Sequence, residues 1–154
     1  VVFNNFVKKM ELKNTIDNQI KESMLNKDKD RLTALRAIKS AILLEEKNGK
    51  EGSINEIQIL MKLIKQRKDS LTLYKEQKRL DLAKIEESEI NIIQEFLPDQ
   101  INDKELDSEL DIIIKSVGAE SIKDMGKVMG IATKKLSGKV ENSRIASRIK
   151  EKLS

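Results

Sequence analysis

The chain has 154 residues, of which 38% are hydrophobic and 36% are charged, and its formal net charge at pH 7 is +4. This length suits one domain or two small ones, and the composition is that of a foldable, non-fibrous protein. Cysteine and histidine are both absent, which excludes disulfides, thiolate nucleophiles, Ser-His-Asp and Cys-His arrangements, and nearly every transition-metal site built from side chains. We therefore expect no catalytic residues, no metal and no cofactor.

The first ten residues are apolar but have neither the hydrophobic core nor the cleavage site of a secretory signal. We interpret residues 1–10 as a leader or a remnant of cloning, and leave them out of the predicted fold. No run of 18 apolar residues could span a bilayer, so we expect no membrane partner. The expected location is the cytoplasm, or an organellar matrix if residues 1–9 are the stub of a cleaved leader.

Helical spacing of apolar residues runs through the N-terminal part of the chain. A first helix over about 11–26 is indicated by residues that recur every four positions, namely Leu12, Ile16, Ile20 and Met24. Either Asp28 or Asp30 would cap a second helix, which ends near Gly49 and Gly52.

A long helical hairpin is predicted next. Ser53 and Glu56 form a capping box that opens its first arm, and the second arm begins around 77–80 and ends at Pro98. The inward positions expected for this second arm are Leu82, Ile85, Ile92, Ile93, Phe96 and Leu97.

After Pro98 the chain has three shorter helical segments. The expected N-caps are Asn102 or Asp103 for the first helix, Ser121 with Asp124 for the second and Asn142 for the third. Gly118 is expected to close the first helix and Gly138 the second. Strand signals are missing. The sequence therefore predicts an all-α protein, with an N-terminal domain of about four helices over 11–97 and a C-terminal three-helix domain over 98–154.

The charges are segregated along the chain. Residues 98–120 hold seven acidic and two basic residues, 121–154 hold nine basic and three acidic, and 62–79 hold seven basic and two acidic. Lysine-rich helices are most often plain solvated surface, but clustered Lys and Arg also suit contact with phosphates. Because only 3% of residues are aromatic, no platform exists for stacking single-stranded bases, and an RNA ligand would be recognised by its folded shape.

Two glycines lie four residues apart inside the sixth predicted helix. Gly126 and Gly130 share one face, and each costs about 1 kcal/mol relative to alanine. One explanation is that another backbone packs closely on that face. The other is that a ligand such as a ribose-phosphate chain approaches it, beside Lys127, Lys134 and Lys135. The two explanations are compatible.

Four segments, in their order and spacing, resemble the YqeY-like family, small helical proteins related to the tail domain of GatB, the B subunit of glutamine-dependent aminoacyl-tRNA amidotransferase. The segments are Asp28–Arg36, Lys65–Ser70 followed by Tyr74, Phe96–Ile101, and Asp124–Gly130. The resemblance covers the chain after Met10 and implies two helical subdomains. It also implies that the C-terminal unit corresponds to a tail that engages the outer corner of tRNA.

Carried over residue by residue, the resemblance identifies expected RNA-contacting positions. They are Gly126, Lys127, Gly130, Lys134, Lys135, Gly138, Lys139, Arg144 and Arg148. A separate, secondary basic patch is expected at Arg36, Lys65, Arg67 and Lys68. Neither the Ser–Lys machinery of the amidase subunit nor the large GatB domain is present, so amidotransferase activity would not be intrinsic.

Three functions are open at this point. The leading one is a non-catalytic accessory protein that binds tRNA or another folded RNA through basic helical surface. A second is a protein-interaction subunit, in which the long third helix and the Gly126/Gly130 face dock onto a partner protein. A third is an auxiliary factor to the glutamine-dependent tRNA amidotransferase, a carbon–nitrogen ligase.

Overall fold

The computed structural model describes the backbone of residues 2–49 and 55–154, and the side chains of residues 12–49 and 55–154. This part of the chain consists of α-helices and one 3-10 turn, with no β-strand. The helices are α1 (Val2–Leu25), α2 (Lys29–Lys47), α3 (Glu56–Glu76), α4 (Leu80–Gln94), α5 (Asp103–Val117), α6 (Met125–Lys135) and α7 (Asn142–Leu153). The all-α fold predicted from the sequence is confirmed.

The chain divides into two compact units, one ending at Phe96 and the other spanning Leu97–Ser154. In the first unit, α1 packs on α2, α3 on α4, and α2 on α4. Asp28 caps α2 by accepting a hydrogen bond from the Arg31 backbone N–H at 3.1 Å. The core residues of this unit are Ile16, Ala34, Leu35, Ile38, Ile42, Leu60, Ile64, Ala83, Ile90 and Ile93.

α1 differs from its prediction at both ends. Its backbone is helical from Val2, nine residues before the predicted start at 11. Met24, expected to face inward, is 55% exposed, and Ser23 is buried in its place. The reason is that four residues turn a helix by about 400°, so a strict spacing of four drifts by about 40° at each step.

Three further expectations need correction. Ser53 lies outside the described residues, and α3 begins at Glu56 with Asn55 as its cap, the Asn55 side chain accepting from the Gln58 N–H. Ile85 is 51% exposed, because α4 turns Ala83, Ile90 and Ile93 to the core. Asn142 is the first residue of α7, and the position before it, the cap, is Glu141.

The second unit is built on three helices with local caps. Asn102 caps α5 by accepting from the Glu105 N–H at 2.8 Å, and Gly118 closes it in the left-handed conformation at φ 67°, both as predicted. α6 ends at Lys135, and Gly138 adopts its left-handed φ of 77° in the turn that follows. The core residues are Leu106, Leu110, Ile113, Val128, Ala132, Leu136, Val140, Ile145, Ile149 and Leu153.

Candidate nucleic-acid interface

The outer face of α6 forms an open groove with a volume of about 570 Å³. Two neighbouring rows of residues at four-residue spacing line it, namely Gly126, Gly130 and Lys134, and Lys127, Ile131 and Lys135. We call this surface the α6 groove. The sequence predicted five of its six residues, and it missed Ile131, which is 41% exposed.

The inner face of α6 holds the groove in place. Val128 and Ala132 are fully buried in the core of the second unit. At the start of the helix, the Asp124 carboxylate accepts hydrogen bonds from the backbone N–H groups of Glu120 at 3.0 Å and Ser121 at 3.3 Å. These two bonds are the main reason that the pKa of Asp124 is lowered, with the Lys127 charge adding to them. The entry into α6 is therefore fixed by local polar contacts.

Neither glycine of the groove has a packing reason in the described part of the chain. A Cβ added at Gly126 or Gly130 would meet no atom within 4 Å other than the backbone of its own helix. Of the two explanations offered by the sequence, close packing of another backbone is therefore not found among the described residues. Within the described part of the chain, the face is open.

The three lysines of the groove differ in their partners. Lys135 Nζ lies 2.9 Å from Glu109 Oε2 on α5. Lys127 and Lys134 form no ion pair with any residue whose side chain the structure describes. Among the described residues, the groove therefore has two lysines without an ion pair beside Gly126, Gly130 and Ile131.

The arginines of α7 are placed differently. Arg144 Nε lies 3.1 Å from Asp103 Oδ1, Arg148 Nε lies 2.9 Å from Asp107 Oδ1, and both guanidinium groups make a second contact to the same carboxylate. Lys152 Nζ lies 2.7 Å from Asp111 Oδ1.

Each of these three pairs joins residues 41 positions apart, so α5 and α7 run parallel and in register along them. We call this set of ion pairs the α5–α7 ladder. Sequence reasoning missed its acidic half, although matched four-residue spacings of Asp in α5 and of Arg or Lys in α7 were a usable signal.

The ladder alters the ionisation of its members. The hydrogen bond from Arg148 holds the pKa of Asp107 below its usual range, and the same bond raises the pKa of Arg148. Arg148 also lies 3.0 Å from the Glu151 carboxylate. Two of the expected RNA-contacting residues, Arg144 and Arg148, are thus neutralised within the unit.

The turn after α6 holds the last two expected RNA-contacting residues. Gly138 is buried, and its carbonyl accepts a hydrogen bond from Gln100 Nε2 at 2.6 Å. The Lys139 carbonyl accepts from the Ile101 N–H at 3.0 Å, while its side chain is exposed. Gly138 therefore ties the segment before α5 to this turn, and only Lys139 presents a charge there.

In the secondary basic patch, Arg67 differs from the other three residues. Arg67 lies between α3 and α4, where its Nε is 2.7 Å from Glu89 Oε2 and both side chains are less than one-sixth exposed. Burial, and then the neighbouring Glu89, raise the pKa of Glu86. Arg36 and Lys65 are exposed and Lys68 is half-buried. Arg67 is a structural residue of the α3–α4 hairpin.

The described residues contain neither a candidate metal site nor a candidate membrane span. Within 12–49 and 55–154, no three His, Cys, Asp or Glu side chains are grouped to hold a metal ion. No helix in the described part of the chain is long and apolar enough to cross a membrane.

The fold and groove define an all-α protein whose C-terminal three-helix unit carries a glycine-lined, lysine-flanked helix face. The family model described as YqeY-like protein matches residues 13–153, so the chain belongs to the YqeY-like family.

Several curated relatives from yeasts bear the name "Altered inheritance of mitochondria protein 41, mitochondrial". The protein of Vanderwaltozyma polyspora is 31% identical over 147 residues, which cover 89% of this chain and 79% of the relative. That of Saccharomyces cerevisiae is 37% identical over 100 residues, covering 63% of this chain and 52% of the relative. That of Kluyveromyces lactis is 34% identical over 84 residues, covering 53% and 45%.

Proposed function

We propose that this chain is a non-catalytic accessory protein that binds tRNA or another folded RNA, and that the α6 groove makes the contact. The observation that carries the proposal is the combination, on one helix face, of two exposed glycines and two lysines, none of which has a packing or ion-pair partner among the described residues. A glycine face lets a ribose-phosphate backbone approach closely, and flanking lysines offer charge to its phosphates.

The spacing of the lysines suits a phosphate chain. Lys127 and Lys134 are separated by seven residues, or about 10 Å along the helix axis. This distance is longer than one nucleotide step, and two flexible side chains can span it to contact phosphates of one strand. Such contacts position the RNA without reading its bases. Recognition would therefore depend on the folded shape of the RNA and on ionic strength.

The test is a titration of the purified chain against folded tRNA and against an unstructured RNA of the same length, at two salt concentrations. We expect preference for the folded tRNA and an affinity that falls steeply as salt rises. The double variant Lys127→Glu with Lys134→Glu should lower the affinity at least about tenfold, because phosphate contacts become repulsive. Equal weak binding to both RNAs would contradict the proposal.

The control for this variant is Lys150→Glu, which reverses an exposed charge of α7 outside the groove. It should leave most of the affinity in place. Helicity, measured by circular dichroism, should be unchanged in both variants, because all three side chains are exposed. An equal loss of affinity in the control would show that total charge governs binding, and would contradict the proposal that the α6 groove makes the contact.

A second candidate function is docking of a partner protein, which the exposed Ile131 in the middle of the groove favours. Apolar side chains at the centre of a patch with polar residues around it are typical of protein interfaces. Ile131→Glu separates the two functions. It should abolish binding of a protein partner, whereas RNA binding through Lys127 and Lys134 should be weakened only moderately.

An auxiliary role beside the glutamine-dependent amidotransferase is compatible with either candidate. In such a role the chain would have no catalytic activity of its own, which can be tested separately. The isolated chain should show no glutaminase activity and no ATP-dependent transamidation of mischarged tRNA. Turnover above a blank that survives repurification would contradict the non-catalytic proposal. For the location, the names of the yeast relatives support an organellar matrix over the cytoplasm.

A further inference from the structure

α7 carries a row of cations that would suit a polyanion if it were free. Arg144, Arg148 and Lys152 follow one another at four-residue intervals, which is about 6 Å per step along the helix axis. In the α5–α7 ladder they face three carboxylates, from Asp103, Asp107 and Asp111, and Arg148 also contacts Glu151. The charge of the row is therefore compensated.

Stability alone is a weak reason for this ladder. Its outer carboxylates, Asp103 and Asp111, are 65% and 66% exposed. Ion pairs at such exposure contribute little to stability, because water and salt screen them. The buried face of α7, with Ile145 and Ile149, already holds the helix in the core.

The effect of the ladder on an approaching phosphate is larger. A phosphate that approaches the α7 cations competes with the carboxylates already bound to them, and it meets like charge as it does so. In the α6 groove, Lys127 and Lys134 form no ion pair with a described residue, and the charge of the nearby Asp124 carboxylate acts on Lys127. The same unit thus contains one open and one closed cationic face.

We propose that Asp103, Asp107 and Asp111 are specificity-determining residues, which mask the cationic row of α7 and confine phosphate contact to the α6 groove. The inference rests on the proposed function, since it assumes that phosphate contact on α6 is what the masking protects. Without the mask, a phosphate chain could settle on α7 as readily as on α6, and the orientation of the bound RNA would be lost.

The test is the full chain with Asp103→Asn, Asp107→Asn and Asp111→Asn, titrated with a fluorescent RNA duplex of about 20 base pairs at about 50 and 200 mM salt. We expect the affinity at the lower salt to rise roughly tenfold, and the logarithmic salt dependence to steepen by about two to three, since up to three phosphate contacts are added. Asparagine matches aspartate in size, so the helices should be retained, which circular dichroism checks.

A matched control changes the total charge by the same amount. Asp99, Glu105 and Glu120 are exposed carboxylates of the same unit outside the ladder. Their amides, Asp99→Asn with Glu105→Gln and Glu120→Gln, should raise the affinity by less than about threefold, since only the general attraction grows. An equal gain in both triple variants would overturn the proposal.

A reversal locates the new contact. Adding Arg144→Gln, Arg148→Gln and Lys152→Gln to the ladder variant should return the affinity to that of the wild type, and a gain that persists would overturn the proposal. If the triple variant loses helicity, the single Asp107→Asn variant carries the same test with a proportionally smaller gain, and no gain in a folded Asp107→Asn variant would overturn it.

The outcomes separate this inference from the proposed function. A wild type that binds tRNA through Lys127 and Lys134, with no gain in the ladder variant, overturns the masking and leaves the proposed function intact. A wild type that binds no RNA overturns the proposed function and, with it, the confinement of contact to the α6 groove, even if the ladder variant gains duplex binding.

Discussion

The outer faces of α6 and α7 come from the same basic segment of the chain, yet the structure treats their charges in opposite ways. On α6, Lys127 and Lys134 flank an open groove without an ion pair to any described residue. On α7, Arg144 and Arg148 are bound to the carboxylates of α5. The net charge of a segment therefore says little about how much charge it offers to a ligand.

The difference arises from helix register. α5 and α7 run parallel, so that two four-residue rows of opposite charge meet along their length. α6 directs Val128 and Ala132 to the core, and of its groove lysines only Lys135 reaches a carboxylate, Glu109 of α5. The face opposite the buried row is left without a partner.

The largest expected effect is a loss of stability when the buried face of a helix, rather than the α6 groove, is altered. Ile149→Ala on the buried side of α7 should lower the free energy of unfolding by about 2–5 kcal/mol, because it leaves a cavity in a fully buried cluster. Ile131→Ala in the α6 groove should change it by no more than about 0.5 kcal/mol. Urea unfolding of the two variants measures both values, and a similar cost at the two sites would mean that the groove face is packed.

The glycines allow stability and binding to be changed in opposite directions. Gly130→Ala should raise the free energy of unfolding by about 1 kcal/mol, since the added methyl group meets no neighbour and alanine favours a helix. Gly126→Ala should raise it less, because the residue lies in the first turn of α6. The double variant should bind RNA more weakly while it melts at a higher temperature. A variant that is more stable and binds as well as the wild type would mean that close approach to the glycines is not used.

The contrast between the two helices also predicts a weak effect. Arg144→Gln with Arg148→Gln should reduce RNA affinity by no more than about twofold, because these cations already have partners. The comparison is with Lys127→Glu and Lys134→Glu in the same titration. A loss of equal size from the arginine variant would show that phosphates displace the aspartates, and the two faces would then form one binding surface.

The smallest expected effect is a change in acid sensitivity. The hydrogen bond from Arg148 lowers the pKa of Asp107 in the folded state. The stability that this bond contributes is therefore present above the ordinary aspartate pKa near 4, and it is lost as the pH falls through the pKa of Asp107 in the folded protein. Arg148→Gln removes that contribution, so stability should fall less steeply between about pH 5 and pH 2. Thermal unfolding across this range measures the slope. An unchanged slope would mean that the pair does not persist in solution.

The candidate site shows how far sequence reasoning reached. Glycine spacing and lysine content identified five residues of the α6 groove, because both are visible within one helical turn or two. The family resemblance grouped Gly138, Arg144 and Arg148 with them, whereas the structure places these three in a turn and in the α5–α7 ladder. Arg67 was likewise predicted to be surface charge, and it is largely covered and paired with Glu89.

By itself, the sequence determined the helical class and several helix ends. The Asn102 cap and the left-handed Gly118 depend on hydrogen bonds over three or four residues, so local sequence specifies them. Only the tertiary structure decided which charges remain unpaired, since each ladder pair joins residues 41 positions apart. It also decided that no other part of the described chain packs on Gly126 and Gly130. Both outcomes depend on the packing and register of whole helices, which no short segment encodes.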